Sequence, residues 1–358
     1  MNSPDRLHHL LHALTRRRGF LAGVLAGVVG SWTGGMTTGQ AARAFTGARI
    51  SASVGPSGSA VAVFIAQQAG YLKAAQIDMK IQPERNSALA IQLMAGGQTQ
   101  LASPSAAAYL NNAILRGADI IVVSSLARVS GLHENTGIVV SDKLYKEGVR
   151  SIQDLRGREI HVQFGMDSSV GKSMRLALEE FGVAEDEVRF KNWFRIPQMQ
   201  QAILTGVIDV AILLEPNVSL FQTKAGVHPI YFADQLSDGD HSIVLAMPRK
   251  WVEQNEEATI RLLTAYLRAI QIYQEGQASG WRAHPVVKQT LMQAIRVPAE
   301  VIDMYQGVYY ETVPYIDLDI YRRQISTFVG KGIQTLVPPE EYVEMKYLRR
   351  AAERLGLE

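Results

Sequence analysis

The segment Arg158–Met174, REIHVQFGMDSSVGKSM, decides what kind of α/β protein this chain forms. It opens with an extended run of alternating apolar and polar residues, passes Gly165 and a short polar loop, and enters a helix at Gly171-Lys172-Ser173. Strand, glycine loop and Gly-Lys-Ser is the outline of a nucleotide phosphate cradle. That cradle needs four residues between its first glycine and Gly-Lys-Ser, so that successive N–H groups wrap the phosphates. Here five intervene, Met166 to Val170, and the apolar strand DVAILLEP ends in Glu215-Pro216 with no partner aspartate. Ser169-Val170-Gly171-Lys172 also matches the S-x-x-K nucleophile motif of penicillin-recognising enzymes. No K-T-G accompanies it, and Ser141-Asp142 is followed by Lys143 rather than Asn. The segment is therefore a strand–loop–helix unit that offers its helix start to something other than a nucleotide. Lys172 is expected to face solvent one turn on.

The same unit recurs on both sides. From Ala48, ARISASV reads as a strand, GPSGS as a polar loop, Ala60–Ala75 as one helix and DMKIQPE as a strand. ALAIQLMAGG is a helix closing on glycine, TQLAS a strand, and PSAAAYLNNAILRG a helix with Pro at its start and Gly at its end. DIIVVSSLAR follows as a nearly continuous apolar strand. A second series, near Ile138, runs through TGIVVSD, REIHVQF, a helix from about Ser168 to Phe181, EVRFKNW, IPQMQQAILTG and DVAILL. Leu93–Ala102 can be laid on Ile203–Ala211 so that Gly97 meets Gly206 and Ala102 meets Ala211. Apolar strands alternating with helices of this length predict mostly parallel sheets covered by helices on both faces. Gln254–Glu275 shows helical spacing, and the remainder to Glu358 is expected to be largely helical. No long Pro/Gly linker separates the two series, so two α/β lobes joined by short crossings are predicted.

The 358 residues are 20% charged and 47% apolar, enough for a core in each lobe. The net charge of +2 is concentrated at the start, because the first 44 residues hold five Arg and one Asp. The rest carries 31 basic and 33 acidic residues, a balance that gives no support to nucleic-acid or membrane-surface binding. Arg16-Arg17-Arg18, the apolar run Phe20–Val29 and the triplet Ala42-Arg43-Ala44 have the anatomy of an export signal. Arg17-Arg18-Gly19-Phe20-Leu21 resembles the twin-arginine pattern, with Arg16 where that pattern prefers Ser or Thr. Residues 1–44 are thus expected to be read by the twin-arginine translocase, an uncleaved N-terminal helix being the alternative. The chain has no cysteine, which removes disulfides, thiolate metal sites, a cysteine nucleophile and a lipid-anchored cysteine. A soluble periplasmic protein without a lipid anchor is the expectation.

Strand-to-helix junctions mark the carboxyl ends of sheet strands, where open α/β sheets bind ligands. Here they carry Ser57-Gly58-Ser59, Asn86-Ser87, Ser103-Pro104-Ser105, Asp167-Ser168-Ser169 and Glu215-Pro216. Each offers small or polar residues where free N–H groups and the positive end of a helix dipole face outward, although Ser and Asn also serve as ordinary N-caps. Several such starts converging on one crevice suit an anionic or strongly polar head group. Arg128 and Arg195 stand at strand ends, where a guanidinium forks onto a carboxylate or sulfonate, or pairs on the surface. Trp193-Phe194 would cover an apolar ligand portion or pack in the core. Glu215 would meet an amine or ring nitrogen, or cap its own helix. His241 and His133 lie where a lobe crossing is expected and would hydrogen-bond a ligand, or remain surface histidines. No His pair has metal-ligand spacing on one helix, and no cofactor is called for.

GPSGSAVAVFIAQQAGYLKAAQIDMKI resembles the opening of periplasmic solute-binding proteins of the sulfonate/nitrate/taurine group, related to thiamine-pyrimidine-precursor binding proteins. AIQLMAGGQTQLASPS, SIQDLRGREIHVQFG and AILTGVIDVAILLEP resemble further landmarks of that group. The resemblance implies a type II clamshell, with lobe 1 from 45–133 plus 243–358 and lobe 2 from 134–242. It implies a non-catalytic protein that closes on a small polar or anionic solute and delivers it to the membrane permease of an ABC importer. A catalytic branch of the wider fold uses a cysteine-rich motif that this chain lacks. The alternatives are an aromatic or pyrimidine-type ligand, or a periplasmic acyl-transfer hydrolase using Ser169 and Lys172.

Overall fold

The computed structural model describes residues 47–358 apart from 85, 131–134, 238, 304 and 306. Residues 1–44, expected above to carry a twin-arginine export signal ending at the Ala42-Arg43-Ala44 triplet, and His133 therefore lie outside the described residues. Strands β1 (Ala48–Ser53), β2 (Ile77–Gln82), β3 (Leu101–Ala102) and β4 (Ile120–Arg128) form one sheet with a strand from much later in the chain. Strands β5 (Thr136–Val140), β6 (Glu159–Gln163), β7 (Arg189–Trp193), β8 (Val210–Leu214) and β9 (His228–Phe232) form the second. The late strand is β10 (His241–Pro248). The orders are β2-β1-β3-β10-β4 and β7-β6-β8-β5-β9. In the first, β1 pairs parallel with β2 and β3, while β10 runs antiparallel to β3 and β4. In the second, β6 pairs parallel with β7 and β8, while β5 runs antiparallel to β8 and β9. Four strands of each sheet thus share a direction and one opposes them. The reversed strands are the two that enter a sheet directly from the other lobe.

The helices in chain order are α1 (Val61–Gln68), α2 (Tyr71–Ala74), α3 (Ser87–Ala95), α4 (Ala108–Leu115), α5 (Asp142–Lys146), α6 (Ser169–Glu180), α7 (Ile196–Leu204) and α8 (Asn217–Ala225). After β10 come α9 (Arg249–Gln254), α10 (Glu256–Ser279), α11 (Pro285–Gln293), α12 (Leu318–Ser326) and α13 (Lys346–Glu353). They cover both faces of both sheets, which is why the strands read as unbroken apolar runs. Along β4, Ile121 and Val123 pack with Ile65, Leu263 and Leu348, while Ile120 and Val122 pack with Ile91, Leu110 and Tyr321. Along β5, Ile138 and Val140 meet Met174 and Leu178, while Val139 meets Met199 and Phe221. Each such residue contributes roughly 1.5–3 kcal/mol by leaving water, and a one-residue register slip would exchange the side chains of the two faces and mispack both cores at once.

The internal match has a structural counterpart. Gly97 and Gly206 both adopt left-handed φ, 71° and 72°. Gly97 N–H donates to Met94 O as Gly206 N–H does to Ile203 O, and Gln98 N–H donates to Leu93 O as Val207 N–H does to Ala202 O. Both glycines close a helix and release a strand at the same place in their sheets.

Two expectations need correction. The single helix over Ala60–Ala75 divides at Gly70, whose φ of 76° ends α1 and starts α2. The C-terminal third is not largely helical: residues 294–317 are mostly irregular, and side-chain hydrogen bonds replace a helix there. Val308 N–H donates to the Tyr273 hydroxyl at 2.8 Å, Trp281 Nε1 donates to Tyr305 O at 2.7 Å, and Gln274 Nε2 donates to Tyr310 O at 2.9 Å. Aromatic bulk and left-handed Gly307 favour this wrap over helical periodicity.

Candidate functional site

The polar loops converge. A cavity with about 810 Å³ of empty space, partly open to solvent, lies between the two sheets' carboxyl ends. The first sheet's side supplies Gly55, Ser57 and Ser59 after β1, Glu84, Asn86 and Ser87 at the start of α3, Ser103 and Ser105 after β3, and Tyr109 of α4. The second sheet's side supplies Asn135 and Thr136 at β5, Phe164 after β6, Ser168, Ser169 and Val170 at α6, Phe194 after β7, and Leu214 of β8. Val129 and Ile243 complete it near the crossings.

Hydrogen bonds fix these loops against one another. Gly55 N–H donates to Ser103 Oγ at 3.1 Å, and Ser105 N–H donates to Ser87 Oγ at 3.0 Å. Asn86 caps α3, its Oδ1 accepting from Ala88 N–H at 3.0 Å and Leu89 N–H at 3.2 Å. Ser168 caps α6, accepting from Gly171 N–H at 3.3 Å and donating to Gly165 O at 2.7 Å. Across the cleft, Ser169 N–H donates to Ser105 Oγ, and the Ser105 hydroxyl donates to Ser169 Oγ, both at 3.2 Å. The start of α6 thus touches the opposite lobe through one serine pair. Ser57 Oγ is buried and has no partner among the described residues.

The C-terminal wrap holds the first loop from beneath. Tyr310 donates its hydroxyl to Ser59 O at 2.8 Å, and Gly58 sits over Tyr305 so closely that a Cβ there would lie 2.3 Å from Tyr305 Oη. Gly58 is therefore part of the loop's seat and does not line the cavity. Phe164 adopts φ of 66°, followed by Gly165 at 83°. A left-handed backbone costs a bulky residue roughly 1–2 kcal/mol, and here it turns the aromatic ring into the cleft.

Among the described lining residues there is no Lys or Arg, and Glu84 is the only carboxylate. Its Oε1 accepts from Asn86 N–H at 2.6 Å. An anionic head placed here would meet hydroxyls, N–H groups and helix starts rather than a cation. Tyr109 stays a neutral phenol, its pKa pushed up to about 12 by burial and then by Asp167.

Several expected residues lie elsewhere. Pro104 is buried, its carbonyl accepting from Val244 N–H at 3.1 Å. Arg128 pairs with Glu311 and donates from Nε to Gly239 O at 2.9 Å, outside the cavity. Arg195 is exposed at the entry to α7. Asp167 points toward Gly332, where a Cβ would sit 3.5 Å from its Oδ1. Glu215 accepts from Ser219 N–H at 3.1 Å and from its hydroxyl at 2.7 Å, and lines a neighbouring cavity. His241 is fully buried. Its Nδ1 lies 3.0 Å from Ser125 Oγ, and its Nε2 accepts from Asp317 N–H at 3.3 Å. Burial first, and Arg128 second, push its pKa down to about 4, so it is neutral at pH 7. Lys172 is also not solvent-facing: it forms a buried ion pair with Asp240, beside the crossing where Val129 N–H donates to Asp240 O at 2.7 Å. Of the aromatic pair, Phe194 lines the cavity, while Trp193 donates Nε1 to His161 Nδ1 at 2.7 Å.

Sequence reading missed Glu84, Tyr109, Asn135, Thr136, Phe164 and Leu214. Phe164 alone carried a signal, an aromatic directly before the glycine that ends β6. Asn135 and Thr136 are placed by Asp234, whose buried carboxylate accepts from Asn135 N–H at 3.0 Å, Thr136 N–H at 2.6 Å and Thr136 Oγ1 at 3.1 Å.

Comparison with solved structures places the fold. The alkanesulfonate-binding protein SsuA from Xanthomonas axonopodis pv. citri, bound to MOPS, is 15% identical with a TM-score of 0.67, covering 83% of this chain and 98% of that one. The periplasmic nitrate-binding protein NrtA from Synechocystis PCC 6803 is 13% identical with a TM-score of 0.69, covering 87% and 90%. The desulfurization enzyme DSZB is 14% identical with a TM-score of 0.63, covering 86% and 99%. These likenesses establish a type II periplasmic-binding-protein fold. No curated protein matches the chain. A family model described as "NMT1/THI5 like" matches residues 58–278, well over half of the chain. The chain belongs to the NMT1/THI5-like family.

Proposed function

We propose that this protein is the periplasmic solute-binding component of an ABC-type importer. It captures a small polar or anionic organic solute of the sulfonate, taurine or nitrate kind and delivers it to a membrane permease. The observation that carries this reading is the cavity walled by hydroxyls and helix starts from both lobes, which touch directly at Ser105 and Ser169. Ser57, Ser59, Ser87, Ser103, Ser105 and Ser169 hold the solute, with Asn86 and Ser168 fixing the helix starts. Lobe 1 (45–133 and 243–358) and lobe 2 (134–242) close as hinged bodies about the two crossings.

The protein is read as non-catalytic. Lys172 is committed to Asp240 and Ser169 to Ser105, so the pair that an acyl-transfer hydrolase would need is engaged elsewhere. Residues 1–44 serve as a twin-arginine export signal in this account, testable by fusing them to a periplasmic reporter and mutating Arg17 and Arg18. A thermal-shift screen of alkanesulfonates, taurine, nitrate, carboxylates and pyrimidines tests the binding role, because a ligand that binds only the native state raises its melting temperature. At least one sulfonate, taurine or nitrate member should raise it. A shift with ATP alone would overturn the reading.

A further inference from the structure

A second cavity abuts the first and shares three of its residues, Ser57, Phe164 and Leu214. It spans about 1320 Å³ of space, open solvent at its mouth included. Phe164 is the wall between the two, and its ring is there because the backbone takes a left-handed turn that disfavours a bulky side chain. Two main-chain bonds secure that turn: Phe164 N–H donates to Trp193 O at 2.8 Å, and Gly165 N–H donates to Val162 O at 3.2 Å. Ser57 Oγ, buried and unpartnered, sits at the same boundary.

The chemistry beyond the wall differs from the serine chamber. Its floor is a chain of amides: Gln163 Oε1 accepts from Leu214 N–H at 3.1 Å and from Asn217 Nδ2 at 3.4 Å, and Asn217 Oδ1 accepts from Gln200 Nε2 at 2.9 Å. Gln163 is 2% exposed and Asn217 7%, so this floor is built and buried rather than incidental surface. Glu215 and Arg296 both line the same space, which leaves it without a strong preference for either sign of charge.

Resting on the solute-binding role proposed above, we infer that the solute is elongated and has two polar ends. Its head group lies among the serines, its body passes along Phe164, and a second, uncharged hydrogen-bonding end such as a hydroxyl or amide lies on the Gln200–Asn217 amides. Phe164 is the residue that sets this specificity, because it shapes the passage through which the body must run.

Titration calorimetry on the purified protein tests this with short and long solutes of three head-group classes. Ethanesulfonate is set against octanesulfonate and ω-hydroxyoctanesulfonate, propionate against nonanoate and ω-hydroxynonanoate, and acetamide against nonanamide and ω-hydroxynonanamide. Within at least one class the ω-hydroxy member should bind about tenfold or more tighter than both the short member and the methyl-ended long one. Gln200→Ala should remove that advantage while leaving the short member unchanged. Phe164→Gly, which relieves the backbone, should narrow the difference between long and short. Equal binding of short and long members, or equal weakening of both by Gln200→Ala, overturns this inference and leaves the binding role standing. Long-only binding by carboxylates or amides, with the ω-hydroxy member ahead of the methyl-ended one, supports the inference and removes the sulfonate class, whereas equal binding of the two long members overturns the second polar end. No binding by any member to folded protein overturns both.

Discussion

Replacing Lys172 with Met keeps the side chain's bulk and removes its charge. The partner carboxylate, Asp240, is then left buried: the two side chains are only 10% and 8% exposed. Removing one member of such a pair costs about 3–5 kcal/mol, because the other keeps its desolvation penalty without its counter-charge. At roughly 2 °C per kcal/mol for a chain of this size, the melting temperature should fall by roughly 6–10 °C at pH 7. The pH dependence has a definite sign. Burial raises the Asp240 pKa, with Lys172 as the largest opposing influence, followed by Arg323 and Arg128. A group whose folded pKa is raised contributes stability that is present below its unfolded value, near 4, and lost as pH rises through the folded value. Without Lys172 the folded value rises further. The variant's deficit should therefore be full at neutral pH and shrink as pH falls toward the carboxylate range. Adding Asp240→Asn should recover most of the loss. Urea or thermal unfolding of the parent, single and double variants across pH provides the assay. A deficit under about 1 kcal/mol, or one that stays constant down to acid pH, would refute the reasoning.

Other outcomes follow from the same geometry. Gly58→Ala should cost about 1–3 kcal/mol by driving a methyl against Tyr305 Oη, and Tyr305→Phe, which removes a buried hydroxyl without a partner, should rescue it in melting curves. His241, buried neutral with its pKa near 4, contributes stability that is present above its unfolded value near 6.5 and lost as pH falls between the two. That loss amounts to about 3 kcal/mol, and His241→Asn should flatten it in unfolding curves taken over that range. Ser105→Ala combined with Lys224→Ala removes the serine link and the Lys224–Glu300 ion pair between the lobes, so X-ray scattering of the unliganded protein should show a larger radius of gyration with little change in melting temperature.

The lobes and their alternation of strand and helix were legible because both faces of both sheets are covered, which turns each central strand into an apolar run. The same uniformity hid the reversal of β5 and β10, since a buried strand reads alike in either direction. The serine loops were legible as helix starts, and Ser57, Ser87, Ser103, Ser105 and Ser169 do meet in one cavity. Charged residues misled for a physical reason. Arg128 and His241 face each other as partners in the β4–β10 ladder, but Arg128 turns to Glu311 and His241 inward to Ser125. Lys172 looked solvent-facing because Asp240, its partner, lies 68 residues away and meets it only once the second crossing has returned the chain. Phe164 was passed over because a left-handed phenylalanine is not something local sequence favours. It is held there by its N–H bond to Trp193 O, which forms only once β6 and β7 have paired, with the Gly165 N–H bond to Val162 O closing the turn locally.

The central claim is that both lobes grip one solute. Titration calorimetry of the parent, Ser105→Ala and Ser169→Ala with the best solute from the thermal-shift screen tests it directly. The account predicts one solute per chain and a threefold to tenfold weakening, about 1 kcal/mol, from either substitution, one in each lobe. Full-affinity binding in both variants, or binding weakened by one lobe's substitution alone, would contradict it.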